Sequence, residues 1–173
     1  DDRVLVVVAI DQQRLAAALL RPARMAESDE ILARVGALRS RATDSAAGAG
    51  SEAEAFGDDP GEAEPMVQAT LRRLAEHDAV ELWVAEAEGQ MITAGRVEPV
   101  EGADFAGIWG GCTRPDWRGK GIYRALTSAR AQSALRLGKT LVNSDSTEFS
   151  RPILERSGLV KVSTTTPYEW ERA

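Results

Sequence analysis

The sequence is poor in the residues that cross-link a chain, bind metals or anchor it in a membrane. Among its 173 residues are one cysteine, Cys112, and one histidine, His77. A single thiol excludes an internal disulfide framework and any cysteine-based metal cluster, and it fits a reducing cytoplasm. Nothing else in the chain calls for a metal. As a nucleophile Cys112 would need an adjacent base, and the only histidine falls on a distant helical segment, so a small packed residue is expected there. No apolar run approaches the roughly 20 residues of a membrane span. The run Val4 to Ile10 has neither the basic flank nor the cleavage site of a signal peptide. The first residue is Asp1 and not methionine, which leaves room for a longer gene product.

An excess of positive charge is also missing. Lys and Arg number 21 against 27 Asp and Glu, a net charge of −6, so there is no overall basic footprint for nucleic acid. Aromatic residues make up 5%. The tryptophans Trp83, Trp109, Trp117 and Trp170 are not interleaved with a basic groove, which makes them packing residues and not a base-stacking platform. What remains is a 43% apolar chain of a length that suits one domain, 1–173, able to bury about 70% of its unfolded surface.

Arg3 to Ile10 is a continuous β-branched run, as expected of a strand covered on both faces. Asp11 can cap a helix with Leu15, Ala16, Leu19 and Leu20 as its stripe, ended by Pro22. A second helix is predicted over Ser28–Leu38, with Ile31, Leu32, Val35 and Leu38 inward. Ser40 to Gly61 is rich in Ala, Gly, Ser, Asp and Glu, with Phe56 as the only large apolar residue; it reads as a flexible acidic connector, or as a lid anchored by Phe56. Glu62 to His77 resumes a helix with Met66, Val67, Thr70, Leu71 and Leu74 inward and His77 near its last carbonyls. Residues 1–79 thus form a strand plus helical region, and 80–173 the rest of the domain.

Val80 to Ala87 and Gln90 to Val97, joined by Glu88-Gly89, predict a hairpin. Phe105 to Thr113 reads as a third antiparallel strand. Lys139 to Ser144 is a strand reached through a helix and therefore parallel to its predecessor. A short helix follows, with Asp145, Ser146, Thr147 and Ser150 as cap candidates and Gly158 as its end. Leu159 to Ser163 and Thr165 to Trp170 are expected to close the sheet as a hairpin.

The most informative stretch is Ile108 to Leu137, IWGGCTRPDWRGKGIYRALTSARAQSALRL. A strand ends at Gly110-Gly111, Pro115 and Asp116 break the ladder, and a helix begins at Gly121-Ile122. On that helix Ile122, Leu126, Ala129 and Ser133 are read as the inward face, with Arg124, Arg130 and Arg136 elsewhere; Gly138 closes it. A strand that turns through glycines into a helix N-terminus aims several backbone N–H groups at one point that favours anions. Gly119 and Gly121 let the backbone approach, and Arg118 and Lys120 add charge where phosphate oxygens would sit. The Walker pattern fails because Gly121 stands where Ser or Thr should follow the lysine. The dinucleotide fingerprint fails because its third glycine would be Arg124.

The run Pro115-Asp116-Trp117-Arg118-Gly119-Lys120-Gly121-Ile122-Tyr123 does resemble the acyl-coenzyme A loop of the GNAT superfamily of N-acyltransferases, Arg/Gln-x-x-Gly-x-Gly/Ala, often Pro-x-x-Arg-Gly-x-Gly-Ile-Gly. Tyr123 replaces the last small residue, which implies altered packing beside the coenzyme. The resemblance implies the GNAT fold, an α/β (α+β) architecture with a mixed, mostly antiparallel sheet, splayed central strands and helices on both faces. It implies acetyl-coenzyme A as co-substrate, its pantetheine held by the backbone of Gly111, Cys112 and Thr113 and its pyrophosphate by Arg118, Gly119, Lys120, Gly121, Ile122 and Tyr123.

The reaction it implies is direct attack of a neutral primary amine, on a small molecule or peptide, upon the thioester, which needs a base, a donor for the tetrahedral oxygen and a proton for the leaving thiolate. Asp145 and Glu98 are the base candidates, with Glu81 a third; each reads equally as a solvated charge, or for Asp145 as a helix cap. In the family's downstream segment, Asn-x-x-Ala-x-x-Leu-Tyr-x-x-x-Gly-Phe, the tyrosine that commonly protonates the thiolate is here Leu154, and the phenylalanine is Leu159. Water, Ser144, Ser146 or Tyr123 would then serve. The competing reading is a catalytically weak acyl-coenzyme A sensor or interaction module of the same fold. The acidic residues Glu52, Glu54, Asp58, Asp59 and Glu62 favour a cationic acceptor. A homodimer, if formed, would use the C-terminal hairpin with Tyr168 and Trp170.

Overall fold

In the computed structural model the residues described are 3–9, 35–38, 68–69, 71–77, 79–87, 90–166 and 168. Seven strands form one sheet in the order β2-β3-β4-β5-β6-β1-β7. They are β1 (Arg3–Ala9), β2 (Val35–Leu38), β3 (Glu81–Ala87), β4 (Gln90–Pro99), β5 (Phe105–Thr113), β6 (Leu141–Ser146) and β7 (Val160–Thr165). Helix α1 (Ile122–Arg136) connects β5 to β6, and α2 (Arg151–Arg156) connects β6 to β7. Residues 71–76 are helical ahead of β3.

The meander β3-β4-β5 is antiparallel, as the hairpin signals predict. β6 returns through α1 and lies parallel to β5, because a helical crossover brings the chain back in the same direction. β1 fits between β6 and β7, antiparallel to both.

Three expectations are corrected. Val35–Leu38 is not the end of a helix but a strand paired with β3, Val35 opposite Ala85 and Leu38 opposite Leu82. Gly36 disfavours a helix interior, and the open edge of β3 offers a ladder of partners. The break expected at Thr164 is not there: Val160–Thr165 is one strand, β7, on the free edge of β1, and Pro167, Glu169 and Trp170 of the expected second strand lie outside the described residues. β6 begins at Leu141, beyond the predicted Lys139, because Thr140 and Leu141 N–H both donate to Asp104 O, at 2.9 and 3.0 Å. Lys139 Nζ meanwhile ties down the preceding loop through Val100 O and Ala103 O, both at 2.7 Å. Asp145 therefore lies inside the strand. The helices expected from Asp11 and over residues 28–34, the acidic connector 40–61 with Phe56, Met66, Val67, Thr70, the Glu88-Gly89 turn and Trp170 lie outside the described residues.

Both helices end as their glycines predict. Gly138 takes φ +76° and Gly158 φ +99°. In each case the N–H after the glycine reaches back to close the last turn, Lys139 to Ala134 O at 2.9 Å and Leu159 to Leu154 O at 3.1 Å. The core on the α1 side joins Trp83, Val97, Ala106, Ile108 and Val142 of the sheet to Leu126 and Ala134 of α1 and to Leu154 and Leu159 around α2. On the other face Leu82, Val84, Ala94 and Cys112 pack beneath Leu74. The Cys112 thiol is buried, its Sγ 3.8 Å from Ala94 O, in keeping with a packing role. Along β7, Val160 and Val162 stand exposed at the sheet edge, and Tyr168 lies exposed beyond it.

Leu154, at the place of the family's tyrosine, is 0% exposed and holds α2 to this core. Leu154→Ala is expected to lower the unfolding free energy by about 2–5 kcal/mol, read from urea titration. A loss below about 1 kcal/mol would mean that α2 is not part of the folded core.

Candidate active site

The site begins where two neighbouring strands stop pairing. β5 and β6 are matched only at Phe105 with Leu141, Ala106 with Val142 and Gly107 with Asn143. Beyond that point β5 stays with β4 as far as Thr113 opposite Thr93, while β6 stays with β1 as far as Ser146 opposite Val4. A notch opens between them. A bulge marks its floor, since Ala94 pairs with Cys112 but Arg96 with Trp109, leaving Gly110 and Gly111 opposite Gly95 alone. Gly110 takes φ +59°, and such an extra residue increases the local twist and bends the strand.

Strand alternation decides which backbone groups line the notch. Arg114 N–H donates across to Ile92 O of β4 at 3.0 Å. The N–H of Thr113 therefore faces the open side, and that of Cys112 faces β4. The Cys112 carbonyl accepts the Thr93 hydroxyl, in agreement with that orientation. The Thr113 carbonyl accepts from Arg118 Nε at 3.0 Å.

Above the notch the chain makes one 3-10 turn at Pro115–Trp117 and enters α1 through Gly119, φ +76°, and Gly121, φ +81°. Gly121 is the N-cap; no side chain caps the helix and its first turn carries no acid. The first-turn N–H groups thus point outward with the helix dipole behind them. A Cβ on Gly119 would meet nothing within 4 Å, so the loop is open on the side a ligand would approach. Ile122 anchors the helix start among Ala85, Ala87 and Ile92, with Trp117 against it. Arg118 and Lys120 are exposed. Lys120 Nζ rests 4.4 Å from the centre of the Trp117 ring. Tyr123 is half-buried, its ring so close to the bulge that a Cβ on Gly111 would stand 2.9 Å from Cε2.

The carboxylates separate into distinct settings. Val142 faces the α1 core, so alternation puts Ser144 and Ser146 on the α1 side of β6 and Asn143 and Asp145 on the other. Asp145 is half-buried, two residues past the last β5–β6 pair, and its place in the strand overturns the cap reading; Ser150 is the N-cap of α2. Glu98 is nearly buried and held by two arginines, Arg73 Nε at 2.6 Å and Arg96 Nε at 3.2 Å. Glu81 accepts from Trp83 Nε1 at 2.8 Å and from the Ser133 hydroxyl beneath the later turns of α1, away from the loop. His77 is exposed at a helix end, its N–H 3.2 Å from Arg73 O. Ser146 is 1% exposed and its hydroxyl has no hydrogen-bond partner among the described residues.

Arg130, expected away from the inward stripe of Ile122, Leu126, Ala129 and Ser133, is the reverse: it is 0% exposed, between α1 and the bulge. Its position is legible in the spacing, since it follows Leu126 by four residues and precedes Ser133 by three.

The sequence pattern of the acetyltransferase (GNAT) family matches residues 51–158. No curated protein matches the sequence. Among solved structures, glucosamine-6-phosphate N-acetyltransferase from Arabidopsis thaliana superposes with a TM-score of 0.62 at 15% identity, over 79% of this chain and 99% of its own. AAC(6')-Iy, solved in complex with the bisubstrate analogue CoA-S-monomethyl-acetylneamine, gives 0.62 at 17% identity, over 80% of this chain and 97% of its own. A GCN5-related N-acetyltransferase from Sphaerobacter thermophilus gives 0.66 at 20% identity over 94% of this chain, which spans 49% of that protein. At these identities the likeness is one of fold. The family pattern, which takes in the meander, the notch, the glycine loop and α1, shows that this chain belongs to the acetyltransferase (GNAT) family.

Proposed function

We propose that the protein moves an acetyl or other short acyl group from coenzyme A to the primary amine of a small molecule or peptide by direct attack, with no acyl-enzyme. The observation that carries this reading is the coincidence of an unpaired β5 edge with an uncapped, glycine-entered helix directly above it. An amide-bearing arm completes the first, and a pyrophosphate completes the second. Thr113 N–H and the neighbouring backbone at Gly111 hold pantetheine, whereas the Cys112 backbone, expected to share in this, is turned toward β4 and is left out. The turn from Gly119 to Tyr123 holds pyrophosphate, with the exposed Arg118 and Lys120 adding positive charge beside it.

The amine nitrogen forms a bond to the thioester carbon and the carbonyl oxygen takes the negative charge. On collapse the carbon–sulfur bond breaks, the amine loses its surplus proton and the thiolate gains one. Asp145 is the better base, since it stands beside the notch while Glu98 is committed to Arg73 and Arg96. Leu154 has no proton to give. Ser146 has one, on a buried hydroxyl with no other partner among the described residues. The net charge of −6 favours cationic acceptors by steering.

Acetyl-coenzyme A at about 100 times its dissociation constant should stabilise the wild type by roughly 2.7 kcal/mol in a thermal melt. Gly121→Glu, which puts a side chain and a negative charge at the φ +81° position, should remain folded and show no such shift. Equal shifts in both proteins would remove the glycine loop from the site.

Two substitutions separate the proton roles. Asp145→Asn is expected to cut turnover at least about 10-fold and to steepen its dependence on pH, because a neutral amine must then come from solution. Ser146→Ala is expected to lower turnover by a similar factor while leaving stability unchanged or raised, since it deletes a buried hydroxyl without a partner among the described residues. Full activity in Ser146→Ala assigns the proton to water.

A further inference from the structure

Arg130 is the largest fully buried side chain among the described residues, and no step derived above uses it. Its guanidinium lies against the back of the β5 bulge. Nη1 is 3.2 Å from Trp109 O and 3.5 Å from Arg96 O, Nη2 is 3.5 Å from Thr127 Oγ1, and Nε is 3.4 Å from Leu126 O. Thr127 is itself fixed by donating to Tyr123 O at 2.9 Å. The room for this head group exists only because two neighbours are glycines. A Cβ on Gly95 would stand 2.6 Å from Nη1, and one on Gly111 would stand 2.8 Å from Nη2. A leucine or methionine would fill the same volume without removing a charge from water, so packing alone does not account for an arginine here.

We propose that Arg130 is a positioning residue for acyl transfer: seated in the space left by Gly95 and Gly111, it grips the Trp109 carbonyl and thereby fixes the Gly110-Gly111 bulge against which the acyl thioester lies. This rests on the reading of the notch as the coenzyme site. In a trans peptide the C=O and the following N–H point in opposite directions. A Trp109 carbonyl drawn toward α1 therefore turns the Gly110 N–H away from the helix. Two adjacent glycines would otherwise leave those peptide planes free to rotate. Arg130 exchanges no proton or atom in the step. It holds the donors in place before the tetrahedral oxygen forms.

The test uses the full chain with Arg130→Met, Arg130→Lys and Thr127→Val. Folding is followed by circular dichroism and acetyl-coenzyme A affinity by calorimetry. Turnover is followed as thiol release from saturating acetyl-coenzyme A, with water or an added polyamine as acceptor. The carbonyl stretch of bound acetyl-coenzyme A carrying a 13C-labelled carbonyl is read by infrared difference spectroscopy. Arg130→Met should bind the coenzyme within about threefold of wild type, lose about 100-fold in kcat and return the carbonyl band toward its position in free solution. Arg130→Lys should recover at least about 10-fold of that loss, since it restores a charged donor. Thr127→Val, which removes one anchor and leaves the charge in place, should lose about 3-fold to 10-fold in kcat at unchanged affinity. It decides the matter if Arg130→Met does not fold.

Wild-type kcat and carbonyl band in folded Arg130→Met, or in Thr127→Val if the methionine is not tolerated, overturn the proposal. So does a parallel loss of affinity and kcat, which is the mark of a collapsed site. Absence of coenzyme binding or turnover in the wild type itself would instead overturn the coenzyme reading of the notch, and this proposal with it.

Discussion

The site proposed for this molecule depends on the point at which β5 and β6 stop sharing hydrogen bonds, after Gly107 and Asn143. A sheet interior normally leaves no backbone group unpaired. Here each strand keeps its outer neighbour, β4 for β5 and β1 for β6, so the sheet stays continuous below and opens above. The parallel pairing that precedes the opening follows from α1, whose crossover also sets its own N-terminus over the gap. One connection therefore supplies both halves of the site: the open strand edge and the uncapped helix end.

The residues around that opening are poor choices for stability and apt ones for a ligand. Gly110, Gly119 and Gly121 adopt positive φ, which leaves the chain without side chains where a ligand would approach. The helix lacks a cap that would satisfy its first N–H groups. Ser146 buries a hydroxyl with no partner among the described residues, and Arg130 buries a guanidinium against backbone carbonyls. Each departs from what the local rules favour, and all of them lie on the strands that border the opening or on the loop and helix above it. Such clustering is expected where a binding partner, absent from the folding problem, completes the interactions. Away from the site the rules hold, as in the closed turns at Gly138 and Gly158 and the leucine core around Leu154.

The charged groups divide in the same way. Glu98 is bound by Arg73 and Arg96 across the face opposite α1, and Glu81 by Trp83 and Ser133 beneath α1. Both serve to hold elements together. Asp145 is placed differently, on the strand that leaves β5. Residue type gives all three equal standing as acids or bases, and only their neighbours distinguish them.

Features with a local cause are readable in the chain alone. The meander follows from alternating runs broken at Gly89, the helix ends from Gly138 and Gly158, and the glycine turn from Arg118-Gly119-Lys120-Gly121 between an apolar strand and a helix. Distant partners settled the rest. Val35–Leu38 became a strand because β3 offered an edge, β7 ran unbroken through Thr164 because β1 had one edge free, and Asp145 entered β6 because β1 ran beside it. Arg130 is the sharpest case. It lies off the stripe of Ile122, Leu126, Ala129 and Ser133 and carries a charge, yet it is buried. The conflict was resolved by two glycines on other strands, Gly95 and Gly111, whose missing side chains make the room that a buried guanidinium occupies beside the bulge.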